Sequence, residues 1–344
     1  MRRIKNNIGI FAAALVLGAG CAMTFGKKKK RFSFRGRAVL ITGGSRGLGL
    51  ELARQLAAEG ARLTLVARDP EELERAEEEV GGLGAEVHTF VCDVRDRDNV
   101  AEAVTFAVTK MGRIDVLINN AGIIQVGPME EMTISDFEEA MAVHFFGPLY
   151  FTLASRPHMR VNGGGRIINI SSAGGKIAAP HLLPYIASKF ALTGFSEGLR
   201  TELVQQNILV TTVCPGLVRT GSPRNAIFKG RHREEYAWFS ISGSLPLLSM
   251  GAARAARRII EAGRRGSARL VLGAHAKAAI FLNDLAPNAM AKILSVVNRA
   301  LPGQDSGTGQ ARMGYESQSR WSPSWLTKLG DKAAVRNNEM LTQP

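Results

Sequence analysis

Tyr185 and Lys189 stand four residues apart, so on a helix they share one face. Ser172 lies thirteen residues before the tyrosine and can bring a hydroxyl to the same substrate oxygen. An ammonium beside a phenol favours the phenolate and lowers the cost of moving the phenol proton. The three groups together can protonate or deprotonate a substrate oxygen. Alone, a Tyr and a Lys at this spacing describe many surface helices, so the surrounding elements decide.

The apolar run 38–41 reads as a buried strand. It leads into Thr42, Gly43, Gly44, Ser45, Arg46, Gly47, Leu48 and Gly49, and then into a helical pattern over 50–57. Strand, glycine turn and helix is the context of a dinucleotide phosphate loop. Glycines let the backbone approach a diphosphate, and the helix N-terminus offers unpaired N–H groups. The spacing is Gly-x-x-x-Gly-x-Gly rather than Gly-x-Gly-x-x-Gly. Gly43 to Gly47 also matches Gly-x-Ser-x-Gly, the turn of a serine hydrolase with Ser45 as nucleophile. No acid and histidine pair stands out downstream to complete such a site.

In this order, the segments of residues 36–272 resemble the short-chain dehydrogenase/reductase family. Asp93 and Val94 follow the apolar run 87–92, and Asn119, Asn120, Ala121 and Gly122 follow 116–118. Ser172 ends 166–170, Tyr185 and Lys189 come next, and Pro215 to Thr220 follows 209–214. The resemblance implies a Rossmann-type, doubly wound parallel α/β sheet in a single domain. It implies Tyr185 as general acid/base, Lys189 as the group that lowers its pKa and binds the nicotinamide ribose, and Ser172 as the polariser of the carbonyl. It also implies cofactor contacts from Gly43, Ser45, Arg46, Gly47, Leu48 and Gly49. Asp93 and Val94 would hold the adenine, Asn120, Ala121 and Gly122 would line the cofactor, and Val218 and Thr220 would meet the carboxamide. The family has an asparagine where this chain has His144, which puts a four-residue proton relay in doubt. His144 is either a hydrogen-bonding substitute or a buried histidine without a chemical role.

An acidic residue about 20 positions after the glycines would mark NAD(H). After the strand 63–66 this chain has Ala67 and Arg68 instead. Arg68 and Arg46 could both face a 2′-phosphate, for which arginine is geometrically suited. NADP(H) is therefore expected over NAD(H). Asp69 is expected to turn into the next helix start, with Pro70 at its first position.

The chain has 344 residues and a net charge of +14. Ten of those charges lie before Ala38 with no acid among them, which leaves +4 for the rest. No aromatic stacking pattern accompanies the basic clusters, so nucleic acid is not the expected partner. Between the clusters, residues 8–25 carry no charge and reach the lower limit for spanning a bilayer. The basic run 27–31 follows directly. This reads as an uncleaved N-terminal membrane anchor over 1–35, with the catalytic domain in the cytoplasm; a cleaved signal peptide is the rival. Cys21, Cys92 and Cys214 are scattered and read as small core residues, not as disulfides or a metal site.

The catalytic domain is expected over 36–301, with long helices over 134–159 and 184–206 through which a homodimer could form. A lid over 222–250 contains Phe228, Tyr236, Trp238, Phe239, Leu245, Leu247 and Leu248, which points to an apolar substrate. Residues 274–301 form an amphipathic stretch that could close the pocket or lie on a membrane surface. From residue 302 the chain is polar and rich in Gly, Ser and Gln, which predicts a tail without stable structure. The expected activity is the interconversion of a ketone or aldehyde and an alcohol on a lipid-, sterol- or retinoid-like molecule. A non-catalytic NADPH-binding scaffold is the main alternative.

Overall fold

In the computed structural model, residues 31–303 and 310–340 are described, and the elements below lie in the second of two units, Ser33–Pro344. The expected anchor at 8–25 falls outside the described residues. No helix among those described is long and apolar enough to cross a membrane.

The chain alternates strand and helix as its apolar runs require. It runs β1 (Ala38–Thr42), α1 (Gly47–Ala58), β2 (Arg62–Ala67), α2 (Pro70–Gly81), β3 (Val87–Val91), α3 (Arg97–Met111) and β4 (Val116–Asn119). A short β5 (Gln125–Val126) precedes α4 (Ile134–Met141), a π-helical turn (Ala142–Phe146) and α5 (Gly147–Val161). Then come β6 (Gly165–Ile170), α6 (Leu183–Leu203), β7 (Ile208–Pro215), β8 (Leu217–Arg219), β9 (Ile227–Phe228), α7 (His232–Ser244) and β10 (Ser249–Gly251). The last part holds α8 (Ala252–Arg265), β11 (Arg269–Leu272), α9 (Ala274–Leu285), α10 (Pro287–Ala300), β12 (Arg312–Met313) and α11 (Lys328–Arg336).

Seven strands form one sheet in the order β11-β7-β6-β4-β1-β2-β3, and every pairing in it is parallel. The central strands β1 and β4 are buried throughout, as expected of strands covered by helices on both faces. β3 lies at the edge and is only partly covered, although Cys92 just after it is buried. The chain moves outward from β1 to β3 and then returns to place β4 beside β1. That reversal opens a crevice beyond the carboxyl ends of β1 and β4, where such sheets bind ligands.

Local chemistry sets several helix starts. The Asp69 side chain accepts from the Glu72 N–H at 2.9 Å, with Pro70 in the first turn of α2. The helix expected over 134–159 is interrupted by the π-helical turn at 142–146, which carries His144. The stretch 274–301 is two helices, broken at Ala286 (φ −141°, ψ 66°), which the following proline keeps out of the helical region. Of its apolar residues Ile280 is buried, whereas Phe281 and Leu285 are 68% and 71% exposed.

In the lid, Phe228, Tyr236 and Phe239 are buried together with Val126 and Ala226, and Trp238 packs beside them. These aromatics therefore form a small core of their own. Two buried pairs fasten it to the domain, Lys229 to Asp136 at 2.6 Å and His181 to Glu235 at 2.7 Å. The Trp238 indole N–H donates to the same Glu235 at 2.6 Å. Residues 310–340, expected as a tail without stable structure, carry β12 and α11. β12 pairs antiparallel with β9, and the Ser240 and Ser322 hydroxyls meet at 2.7 Å.

Candidate active site

The crevice is built by ties between the ends of β1 and β4. The Thr42 hydroxyl accepts from the N–H groups of Asn120 (3.0 Å) and Ala121 (3.1 Å). The Asn120 side chain returns the contact, donating to the carbonyls of Thr42 (3.1 Å) and Gly43 (2.9 Å). Asn120, expected as a cofactor contact, thus also holds the glycine turn in place. Gly49 lies so close to this turn that a Cβ there would sit 1.9 Å from the Gly43 carbonyl oxygen. Only a glycine allows the helix to start this near the strand.

The residues expected to transfer a proton come together at the end of β6. Ser172 follows that strand, and its hydroxyl accepts from the Gly174 N–H at 3.0 Å. Tyr185 lies in the first turn of α6 and hydrogen-bonds Ser172. Burial pushes the phenol above its ordinary value, and the bond to Ser172 works against that rise. One turn on, Lys189 is buried, with Nζ 3.0 Å from the Ile170 carbonyl and 5.6 Å from the Tyr185 ring centre. Burial lowers the Lys189 pKa to about 7. At neutral pH it is only partly charged, which weakens its pull on the phenol proton. The same ammonium faces the crevice wall, 3.8 Å from where a Cβ on Gly122 would be.

His144 is buried, and both ring nitrogens have protein partners. The Ile123 N–H donates to Nε2 at 3.1 Å, so Nε2 carries no proton and Nδ1 must carry it. Nδ1 then donates to the Ser188 hydroxyl at 2.8 Å, and that hydroxyl donates to the Tyr185 carbonyl at 2.9 Å. Burial, and then the Lys189 charge, hold the imidazole well below its ordinary pKa. His144 is therefore a neutral clamp between the segment after β4 and the helix that carries Tyr185.

A buried polar chain that the sequence reading missed stiffens the same region. The Asn119 amide donates to Asn169 (2.8 Å), the Asn169 amide to Ser196 (3.0 Å), and Ser196 meets Thr212 (2.7 Å). It links β4, β6 and β7 to α6. Thr42 was missed too; its only signal was a hydroxyl at the end of an apolar strand.

The residues expected at the cofactor end have partners within the chain. Ser45 is buried and donates to Glu72 at 2.9 Å. Its partner is a carboxylate rather than a histidine, so it lacks the base a hydrolase nucleophile needs. Arg46 donates to the same Glu72 at 2.7 Å. Arg68 is exposed and lies near enough to Asp93 to favour its charged form. Burial raises the Asp93 pKa, but the bonds from Arg95, as short as 2.6 Å, bring it below the ordinary value. Val94 is buried against Gly147. Val218 lies in β8, paired with Met250 of β10, and Thr220 is buried just beyond it. Leu48 is in the first turn of α1.

Residues that could hold a nicotinamide cofactor thus line one crevice. At Gly47 the space of the missing side chain is taken by Glu339, 2.7 Å from the Cβ position, while Gly122 lies beside Lys189 and Tyr185 stands with Ser172 one helical turn from that lysine. The arrangement can move a proton at a substrate oxygen next to a bound dinucleotide.

Comparison with known proteins agrees with this geometry. Residues 37–227 match the family described as short chain dehydrogenase. The SadH protein of Mycobacterium tuberculosis is 36% identical over 249 residues, 72% of this chain and 89% of that protein. The gluconate 5-dehydrogenase of Gluconobacter oxydans is 36% identical over 189 residues, 55% of this chain and 74% of that enzyme. Among solved structures, levodione reductase superposes with a TM-score of 0.62 at 28% identity, covering 71% of this chain and 99% of that one. The L-sorbose reductase of Gluconobacter frateurii, solved with NADPH and L-sorbose, shares the fold (TM-score 0.64, 24% identity, 71% of this chain and 97% of that one).

Proposed function

The chain belongs to the short-chain dehydrogenase family, and from that premise we propose that it is an NADP(H)-dependent oxidoreductase. It interconverts a ketone or aldehyde and an alcohol on an apolar substrate. The observation that carries this reading is the meeting of Ser172, Tyr185 and Lys189 at the end of β6, beside Gly122.

Hydride transfer is the chemistry that a bound nicotinamide cofactor supplies. The residues of the chain do the rest. Ser172 holds the substrate oxygen by a hydrogen bond. Tyr185 gives that oxygen a proton in reduction and takes it back in oxidation. Lys189, one helical turn away, offers N–H groups to the ribose hydroxyls and gains charge when those acceptors surround it. Asn120, Ala121 and Gly122 form one wall, and the glycine turn receives the diphosphate.

The NADP(H) preference rests on Arg68 and on the part of Arg46 that Glu72 does not engage. L-sorbose reductase, which shares the fold, was solved with NADPH. The apolar substrate rests on Leu247 and Leu248, exposed at the end of the lid, since the lid aromatics are used in their own core. A homodimer through α5 and α6 belongs to the same reading, supported by exposed Leu153, Val161 and Phe190. So does attachment to a membrane through residues 8–25, which rests on the sequence alone.

The test is oxidation of NADPH and of NADH by the purified protein across a panel of apolar ketones and aldehydes, with Tyr185→Phe in parallel. Turnover by the native chain is expected to fall by about a thousandfold in the variant, with dinucleotide binding retained. Equal turnover by both would remove Tyr185 as the acid. Binding without turnover on any carbonyl would favour the scaffold reading.

A further inference from the structure

The last residues of the described chain lie on the phosphate loop. After α11, the Asn337 carbonyl accepts from the Gly47 N–H at 2.8 Å. First-turn N–H groups of a helix have no partner within the helix and are the usual donors to a bound anion; here one of them is already taken. The Asn337 amide donates to the Thr220 carbonyl at 3.1 Å. The Asn338 amide donates to the carbonyls of Ser45 (2.9 Å) and Glu72 (3.1 Å).

Glu339 reaches furthest in. Gly47 has φ +59°, and the space that its missing side chain leaves holds the Glu339 carboxylate, 2.7 Å from the Cβ position. That carboxylate accepts from Asn225 at 2.7 Å and lies 3.5 Å from Arg46. Glycine in such a turn serves to let a diphosphate approach. The tail has put an anion into the same space and has drawn on the same N–H and guanidinium.

We propose that the C-terminal segment after Thr327 is a built-in competitor for the cofactor's diphosphate, and that a nicotinamide dinucleotide binds only after Asn337 and Glu339 leave the glycine turn. A diphosphate and the Glu339 side chain cannot share the space above Gly47, because both fill it and the tail draws on the same N–H and guanidinium donors. The tail is held at a cost that suits a displaceable element. Burial pushes the Glu339 carboxyl up to about 7, with Arg46 opposing that rise and Glu72 adding to it. Its own anchor lies outside the loop, where fully buried Ala334 packs against Gly221. The inference rests on the cofactor site of the reading above, not on its substrate or on the choice between NADP(H) and NADH.

The test uses the full chain and two variants that loosen the tail without altering the glycine turn, Ala334→Gln and Asn337→Ala. Dissociation constants for NADH and NADPH are read by fluorescence titration. For the dinucleotide that the native chain binds more tightly, both variants are expected to gain ~tenfold in affinity, the factor by which a tail docked nine times in ten masks the site. Affinity unchanged or weakened would overturn the inference and make the tail a wall of the site. A second measurement needs no variant. Trypsin can cut after Lys332 and Arg336, both exposed on the docked tail. Saturating dinucleotide should speed those cuts at least ~threefold, because the displaced segment opens to the protease; unchanged or slower cutting would overturn the proposal. A preference for NADH over NADPH would refute the proposed cofactor choice while leaving both readouts intact.

Discussion

The proposed proton-transfer site and the glycine turn proposed to receive the diphosphate are both at the carboxyl ends of the sheet, yet they are assembled in opposite ways. Ser172, Tyr185 and Lys189 come from one stretch of eighteen residues, held by β6 and the first turns of α6. Their supports, His144 and Ser188, are buried and neutral. The glycine turn instead takes partners from across the chain: Glu72 in α2 and Asn337 to Glu339 at the end, with Asn337 tied in turn to Thr220 after β8. The first site is fixed by buried ties that water does not reach, although one of them, His144 to Ser188, spans 44 residues. The second is adjustable because its ties come from a segment that can leave.

Substitutions at four positions would break or sharpen that contrast. The largest effect is expected within the glycine turn. Gly49→Ala puts a Cβ 1.9 Å from the Gly43 carbonyl oxygen, so backbone must move; chemical denaturation should show a loss of about 3 kcal/mol. A loss below about 1 kcal/mol would show that the loop is softer than the contact implies.

Lys189 comes next. Its pKa is lowered from 10.5 to about 7 by burial, so between those values the unfolded chain binds more protons than the folded one. Stability therefore rises with pH across this window and is lost as pH falls toward 7. Between about pH 7 and 9 the native protein, free of cofactor, should gain roughly 2 kcal/mol that Lys189→Met does not gain. Parallel pH profiles would show that the lysine is not buried as a neutral group.

His144→Ala leaves the Ile123 N–H and the Ser188 hydroxyl without their buried partner and should lose about 2 kcal/mol. His144→Asn should recover part of it. The direction with pH is also set: the folded imidazole has a lowered pKa, so its contribution is present above the ordinary value near 6.5 and fades as pH falls. Thermal melts at acidic and neutral pH check this, and a histidine variant with unchanged melting would remove the clamp. The smallest effect is at the rim of the loop. Arg68→Asp should weaken NADPH by about tenfold, roughly 1.4 kcal/mol, and NADH little. Equal weakening of both would remove Arg68 from the 2′-phosphate.

Much of this was legible along the chain because it repeats locally. The apolar runs marked β1, β4, β6 and β7 to within a residue or so, and the i, i+4 spacing placed Lys189 behind Tyr185. Glycine at 43, 47 and 49 announced a close backbone approach. Other features had no local signature. The π-helical turn at 142–146 interrupts a helical pattern without Pro or Gly inside it. Phe228, Tyr236 and Phe239 look the same in sequence whether they line a pocket or pack on one another. The polar composition after residue 302 predicted no stable structure, but composition does not count hydrogen bonds to partners hundreds of residues away.

By itself, then, the sequence determined the parallel α/β architecture, the position of the phosphate loop and the Ser–Tyr–Lys set, because hydrophobic period and side-chain spacing act over one or two turns of chain. Tertiary structure alone decided which groups those residues meet. It made His144 a neutral clamp, turned Arg46 toward Glu72, pushed Lys189 down to about 7, and laid Glu339 over Gly47. Burial and charge pairing set each of these outcomes, and both depend on what folding brings alongside.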